Sequence, residues 1–345
     1  MKISRYILLV SLLLFASVVY AENGRQETFD PKGTIFEHLG DKYGWNIWDL
    51  HVSLPVIVCS ETGDWYVFSS SRLQNGGNYE GFYLADRGDY AGKVVAVGTN
   101  GAEYRPWDFS ITKNVLALMI CAVVMCGLLF PLVRWYKKYP LIAPRKMNGV
   151  MEVIVEMLYK DVIVSVLGSN ARRFAPYLLT VFFFILVANL MGLMVIFPGG
   201  ANLMGNISIT LVLSLCTFVV VNFSGRKHYW KEIFWPNVPT WLKCPVPMMP
   251  IIEIFGVLTK PIALMIRLFA NMMGGHMITL VLISLIFIMS SLGMAAMAGT
   301  TFISVVFATF MGFVDLMICF IQAYVFFMLS TIFISLAVTN EEEQL

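Results

Sequence analysis

Five ionisable side chains stand inside long apolar tracts of this 345-residue chain: Glu253, Lys260, Arg267, His276 and Asp315. Placing Arg or Asp at the centre of a membrane helix costs about 2.5–3.5 kcal/mol on insertion scales, so such groups normally face a partner or a water-filled cavity. A functional role is the default reading for them. Glu253 and Lys260 have a second one, since both can snorkel near the cytoplasmic end of a long tilted helix. Arg267 lies sixteen positions into a tract that begins at Ile251, too deep for that escape.

Spacing adds geometry. Glu253, Lys260 and Arg267 recur every seven residues and form one slowly drifting stripe, whereas His276, nine residues beyond Arg267, is turned by about 180° and raised by about 13.5 Å on an ideal helix. If the last two apolar tracts form an antiparallel hairpin, residues at equal depth share a constant sum of their numbers. Arg267 then lies level with Gln322, and His276 with Asp315; the turn is expected within Gly293 to Gly299, a run of Gly, Ala and Met. A level His and Asp make a titratable pair that can relay protons near neutral pH. Arg267 does not release its proton and acts as a fixed positive charge, with Gln322 and Asn271 able to hold its fork by hydrogen bonds. Such a charge repels protons and attracts a carboxylate. The arrangement admits a proton from one side and blocks direct passage to the other, unless a mobile carboxylate collects it.

The elements that must position these groups are helices in lipid. The chain is 58% hydrophobic and 13% charged with a mean hydropathy of +0.73, against about 25% charged residues in soluble domains, so a soluble globular protein is excluded. The net charge of +2 offers no footprint for nucleic acid. Five apolar runs are long enough to span a bilayer: Asn114–Val133, Phe174–Phe197, Ile207–Phe223, Ile251 to about Ser290, and about Thr300 to Val338. Arg134, Lys137, Lys138, Arg145 and Lys146 follow the first run without an acid, and Arg226, Lys227, Lys231 and Lys243 follow the third against Glu232 alone. Both loops are therefore expected in the cytoplasm, with the uncharged stretch 198–206 outside and the acidic tail Glu341–Glu343 inside.

Residues 1–21 read as an export signal, with Lys2 and Arg5 before an apolar stretch from Ile7 to Val19 and small residues at Val19 and Ala21. Its alternative is an uncleaved first membrane helix, for which the stretch is short. Residues 22–112 hold 7 basic and 13 acidic groups. They carry short alternating stretches at Asp64–Ser69 and Lys93–Val97, with turn signals at Asn75–Asn78 and Asn100–Gly101, and read as a small, mostly β exported domain. Cys59 has no disulfide partner within it. His38 and His51 lack a surrounding cluster of ligands, so no metal is expected. Between the first two spans, Glu152, Glu156 and Lys160 make one charged stripe on the apolar segment Val150–Leu167, which reads as an amphipathic helix along the cytoplasmic interface or as a packing helix beneath the loop. The expected architecture is an all-α integral membrane protein of five transmembrane helices and one interfacial helix, its last two helices a long tilted hairpin. It divides as a signal over 1–21, an exported domain over 22–112 and a membrane proton-channel domain over 113–345.

The segment Pro261–His276, PIALMIRLFANMMGGH, with Gln322 in IQAYVFF, resembles the membrane subunit a of F-type ATP synthases. Phe174–Leu193, including Asn189, and Asn206–Thr210 also follow that family's pattern, so the likeness covers roughly 113–340. The resemblance implies that Arg267 faces the rotating ring of c subunits and drives deprotonation of each arriving ring carboxylate. It also implies that His276 and Asp315 line the half-channel open to the exported side, and that Glu253 lies on the cytoplasmic route. The implied partners are the c-ring, the peripheral-stalk b subunit, the catalytic head, the bilayer and the translocated H⁺, in a bacterial inner membrane, with no cofactor. Gly192 stands where some members carry Asp, and the exported domain is absent from many members. The chain has no phosphate-cradling loop and no paired nucleophile and base, so no nucleotide hydrolysis is expected of it alone. A secondary transporter would use Arg267 for an anionic substrate, but such folds carry repeated halves, and no internal repeat is present. A purely structural subunit leaves Arg267 unexplained.

Overall fold

A computed structural model describes residues 41–47, 50–85, 90, 92–98, 103–194, 202–234, 248–290 and 294–338. The signal, His38, the side chain of His51, the turn at Asn100–Gly101, Lys243 and the acidic tail lie outside the described residues.

The N-terminal region is β structure. Strands β1 (Gly44–Ile47) and β2 (Leu50–Ser53) pair antiparallel. Strands β3 (Pro55–Cys59), β4 (Trp65–Ser69), β5 (Phe82–Leu84), β6 (Val94–Val97), β7 (Glu103–Tyr104) and β8 (Trp107–Asp108) form two three-stranded sheets, β4-β3-β8 and β5-β6-β7. Alternation decides which face is core, because successive strand side chains point to opposite sides. Val56, Val58 and Phe68 turn inward against Phe82, Val94 and Ala96. The β3–β4 turn needs Gly63, whose φ of +88° lies in the left-handed region. The Tyr43 hydroxyl ties the sheets together, donating to Asp108 Oδ2 and accepting from the Val94 amide at 3.4 Å.

Among the described residues, seven α-helices of eight residues or more follow. Thr112 caps α1 (Lys113–Lys138), its hydroxyl accepting from the Val115 amide, and Lys137 and Lys138 close the last turn where cations suit the helix dipole. At 26 residues α1 is about 39 Å long, enough to cross a hydrocarbon core of about 30 Å. The remaining helices are α2 (Met147–Glu156), α3 (Ala171–Leu193), α4 (Ile207–Ser224), α5 (Lys227–Phe234), α6 (Met248–Ser290) and α7 (Met294–Val338). Five stretches are long and apolar enough to span a membrane, and the chain is a multi-pass membrane protein. The second stretch extends from Met147 to Leu193, longer than the expected Phe174–Phe197, because α2 continues through a π-helix (Met157–Val164) and meets α3 across a turn at Gly168, whose φ is +51°. In that joining segment Leu158, Val162 and Ile163 are buried while Glu156 and Lys160 stay exposed and paired. Met294–Gly299, expected as a turn, opens α7 instead. Met and Ala are strong helix formers and outweigh the single glycine.

The helical core centres on α7, which packs against α6, α3 and α4. Phe182 of α3 meets Phe327 edge-on at 5.8 Å and Phe320 at 6.1 Å. Arg226 donates its amide to the Ala337 carbonyl at 3.0 Å, pinning the end of α4 to α7. Lipid is the solvent for the outward side chains Val123, Phe223, Phe302 and Phe313, all strongly exposed.

Burial, followed by the hydrogen bond to Asp108, raises the Tyr43 phenol above its ordinary value of 10.0. The neutral form is thus favoured on folding. Its contribution is complete below the unfolded value and is lost as pH rises through the folded one. Hydrogen exchange of the β region should show stability falling above about pH 10. Tyr43→Phe should abolish that fall and cost about 1–3 kcal/mol at neutral pH, as expected for an unpaired buried amide; an unchanged alkaline limb in the variant would exclude Tyr43 as its source.

Candidate functional site

Helices α6 and α7 carry all five ionisable groups, and packing on one face of α6 decides where each points. Leu264, Leu268 and Met272, at i, i+4 and i+8, are buried in the helical core. One residue is about 100° of helix, so Arg267 is turned about 100° from the centre of that stripe and Ala270 about 160°; both are exposed, while Asn271 flanks the stripe on the side of Leu264 and is exposed as well. Arg267 is the twentieth residue of the 43 in α6, close to the helix middle. No hydrogen bond or ion pair joins its guanidinium to any described residue.

The expectation that Gln322 and Asn271 hold the arginine fork is therefore corrected. Gln322 is buried between helices, and its Oε1 accepts instead from Asn271 Nδ2 at 2.6 Å. The amide pair bridges α6 to α7 and leaves the guanidinium outside it. Gln322 Nε2 is buried without an acceptor among the described residues. One turn earlier on α7, the Cys319 carbonyl accepts from Asn189 Nδ2 of α3 at 3.4 Å, while Asn189 Oδ1 is also unpaired and fully buried. Gly192, one turn beyond Asn189, is buried as well.

His276 and Asp315 come together. Both are half-buried and line one cleft of about 240 Å³, together with Asn271, Gly275, Thr279 and Gly312. Each acts electrostatically on the other, and the positive charge of Lys113, at the start of α1, also reaches His276. Gly275 explains the closeness: a Cβ there would sit 2.8 Å from Asp315 Oδ1. The contacts Asn271 to Gln322 and Gly275 to Asp315 climb one helix while descending the other, so α6 and α7 run antiparallel at this level. Sequence reasoning missed Gly275 and Gly312; small residues where helices approach closely were the signal for them.

Glu253 and Lys260 occupy the other end of α6 and are half-buried. Lys260 Nζ lies 5.4 Å from the Phe333 ring centroid and borders a cavity of about 20 Å³ shared with Thr217, Asn222 and Tyr229. That volume suffices for roughly one water. The Tyr229 hydroxyl donates to Asn222 Oδ1 at 3.3 Å, and burial, then the charge of Glu253, raises its phenol above the ordinary value. The cleft of His276 and the cavity beside Lys260 are thus separate, with Arg267 between them along α6, about 13.5 Å of helix from His276 and about 10.5 Å from Lys260. Among the described residues no three His, Cys, Asp or Glu converge as metal ligands would.

Comparison with known proteins gives two family matches. The family described as ATP synthase A chain matches residues 115–335, and a domain of unknown function, DUF8433, matches residues 34–109. The chain is 37% identical over 239 residues to ATP synthase subunit a of Chloroherpeton thalassium, covering 68% of this chain and 69% of that protein. It is 40% identical over 246 residues to ATP synthase subunit a 2 of Chlorobaculum tepidum, covering 70% and 66%. For ATP synthase subunit a of Myxococcus xanthus the identity is 35% over 238 residues, covering 67% and 74%.

Interhelical hydrogen bonds in membranes are worth about 0.6 kcal/mol on average and about 1.7 at most. Gln322→Leu, which removes the acceptor for Asn271, should lower the thermal stability of the detergent-solubilised protein by an amount in that range, whereas Gln322→Glu should retain most of it. Equal melting of the two variants would mean that the amide pair does not clamp α6 to α7.

Proposed function

This chain belongs to the ATP synthase A chain family, and we propose that it is the stator subunit through which protons reach and leave the rotating c-ring of a bacterial inner-membrane ATP synthase. The observation that carries this reading is Arg267: exposed, near the middle of a membrane-length helix, and unpartnered by any described residue of its own chain. A permanent cation facing hydrocarbon is costly, and a carboxylate brought past it by another polypeptide removes that cost.

The cycle follows from charge. As a protonated ring carboxyl approaches Arg267, the guanidinium favours the ionised form, and the proton leaves toward the cytoplasm by way of the cavity beside Lys260 and on past Glu253. The ionised carboxylate passes the arginine and takes up a new proton from the cleft of His276 and Asp315, which opens to the exported side. Arg267 itself never titrates, so it separates the two routes electrostatically. Each elementary charge moved through 100 mV releases about 2.3 kcal/mol, so several protons are needed for each ATP, which a rotor with many sites provides. The chain performs no nucleotide chemistry itself. It works with the c-ring, the peripheral-stalk b subunit and, through them, the catalytic head. In this reading the β region is exported after removal of the signal, the C-terminus is cytoplasmic, and the segment around Glu152, Glu156 and Lys160 lies along the cytoplasmic interface.

Arg267→Ala should abolish proton-driven ATP synthesis in membrane vesicles while raising passive proton leak through the assembled complex; coupled synthesis retained in that variant would refute the role. Exchanging the pair, His276→Asp with Asp315→His, should leave partial proton conduction, because the two groups face each other across one cleft. Conduction as low as in the His276→Ala, Asp315→Ala double variant would show that they do not act as a pair.

A further inference from the structure

The β region carries an apolar face that the proton route does not use. On sheet β4-β3-β8, Tyr66, Phe68, Val56, Val58 and Asp108 turn toward the inner side, and the alternating positions turn out. The outward set is Trp65 (59% exposed), Val67 (68%), Trp107 (75%) and Phe109 (57%). Trp65 packs on Phe109 at 5.5 Å between ring centroids, and β3 lies between the two edges, with Cys59 opposite both Trp65 and Trp107. The three rings lie on one face of the sheet, and none of its outward strand positions is Lys or Arg. Exposed patches of this kind mark an interaction surface.

We infer that this aromatic face rests on the headgroup region of the bilayer beside α1, so that the β region lies on the membrane surface. Continuity with the lipid-facing surface of α1 identifies the occupant. Phe109 stands three residues before the cap Thr112, at most about 10 Å of extended chain from the point where α1 begins. The first exposed apolar residues of α1, Val115, Leu118 and Met119, follow at once. The sheet is also fixed at that level. Phe109 donates its amide to the Ile57 carbonyl at 2.9 Å, Ile111 to Pro55 at 3.2 Å, Lys113 to Lys42 at 2.9 Å, and the Asn114 amide to Asp41 Oδ1 at 3.2 Å. Trp45 of β1 also packs into the helical core, which ties the β region to the helices.

Composition agrees. Trp is enriched at membrane–water interfaces, where an amphipathic ring has one apolar and one hydrated end. Residues 22–112 carry 13 acidic groups against 7 basic ones, so attraction to anionic lipid is not the driving force, and a zwitterionic surface suffices.

The test uses the assembled complex with its native cysteines replaced, reconstituted in phosphatidylcholine vesicles and carrying a bimane fluorophore on Val67→Cys, which leaves all three rings in place. A second label on Glu80→Cys, outside the patch, is the reference. Doxyl groups attached high on the lipid chains should quench the Val67 label about threefold more than the Glu80 label, as depth in the boundary layer requires, and iodide in the water should do the reverse. Adding Trp65→Ser and Trp107→Ser should remove the difference. Equal quenching of both labels by iodide would place the face in water, and a Val67 label shielded from both quenchers would mean that a protein neighbour or a second copy covers it; either result overturns the inference.

Discussion

The constraint that organises the membrane part of this molecule is a cation without an internal counter-charge. Arg267 sits near the middle of a helix of 43 residues whose surroundings are apolar, and the chain supplies it with no carboxylate among the described residues. A conventional protein core would neutralise or exclude such a group, because leaving one ionic partner unpaired in a medium of low polarity costs several kcal/mol. In the proposed function the complement arrives from another subunit. Everything nearby then serves to keep the guanidinium outward: the leucine and methionine stripe that binds α6 inward, and the Asn271–Gln322 amide pair that occupies the groups which would otherwise draw the fork inside.

The same packing divides the polar interior in two. Glycine at 275 allows the Asp315 carboxylate to stand against the backbone of α6, and with His276 it borders a cleft roomy enough for many waters. At the opposite end Lys260, Asn222 and Tyr229 enclose space for about one. The spaces on the two sides of one fixed charge are thus unequal in volume.

Much of this was legible in the chain itself. Apolar runs of 17 residues or more are unambiguous, and α1, α3, α4, α6 and α7 start within six residues of their expected positions. The level pairing of His276 with Asp315 needed only the rise of a helix and a constant number sum. β4 and β6 followed from alternation over five residues. What stayed hidden depends on rotation and contact rather than on pattern. Which way Gln322 turns depends on the buried stripe of α6, and a single helix's sequence does not say that its amide meets Asn271. The π-helix at Met157–Val164 breaks the 3.6-residue period from which the Val150–Leu167 stripe was read, so that Leu158, Val162 and Ile163 bury together. Gly293–Gly299 read as a turn because glycine weighs heavily in local rules, although Met294, Ala295, Ala296 and Met297 between the two glycines favour a helix.

The junction at Thr112 has a mechanical side. Strand β8 passes into the cap of α1 with hydrogen bonds at almost every step and no slack loop between them. A load applied to the β strands therefore reaches α1 undamped, and α1 leans on α3, whose Asn189 is bonded to α7. In the proposed function, part of the reaction to a turning rotor is carried along this strut and discharged beyond the helices, like a footing set outside the wall it braces.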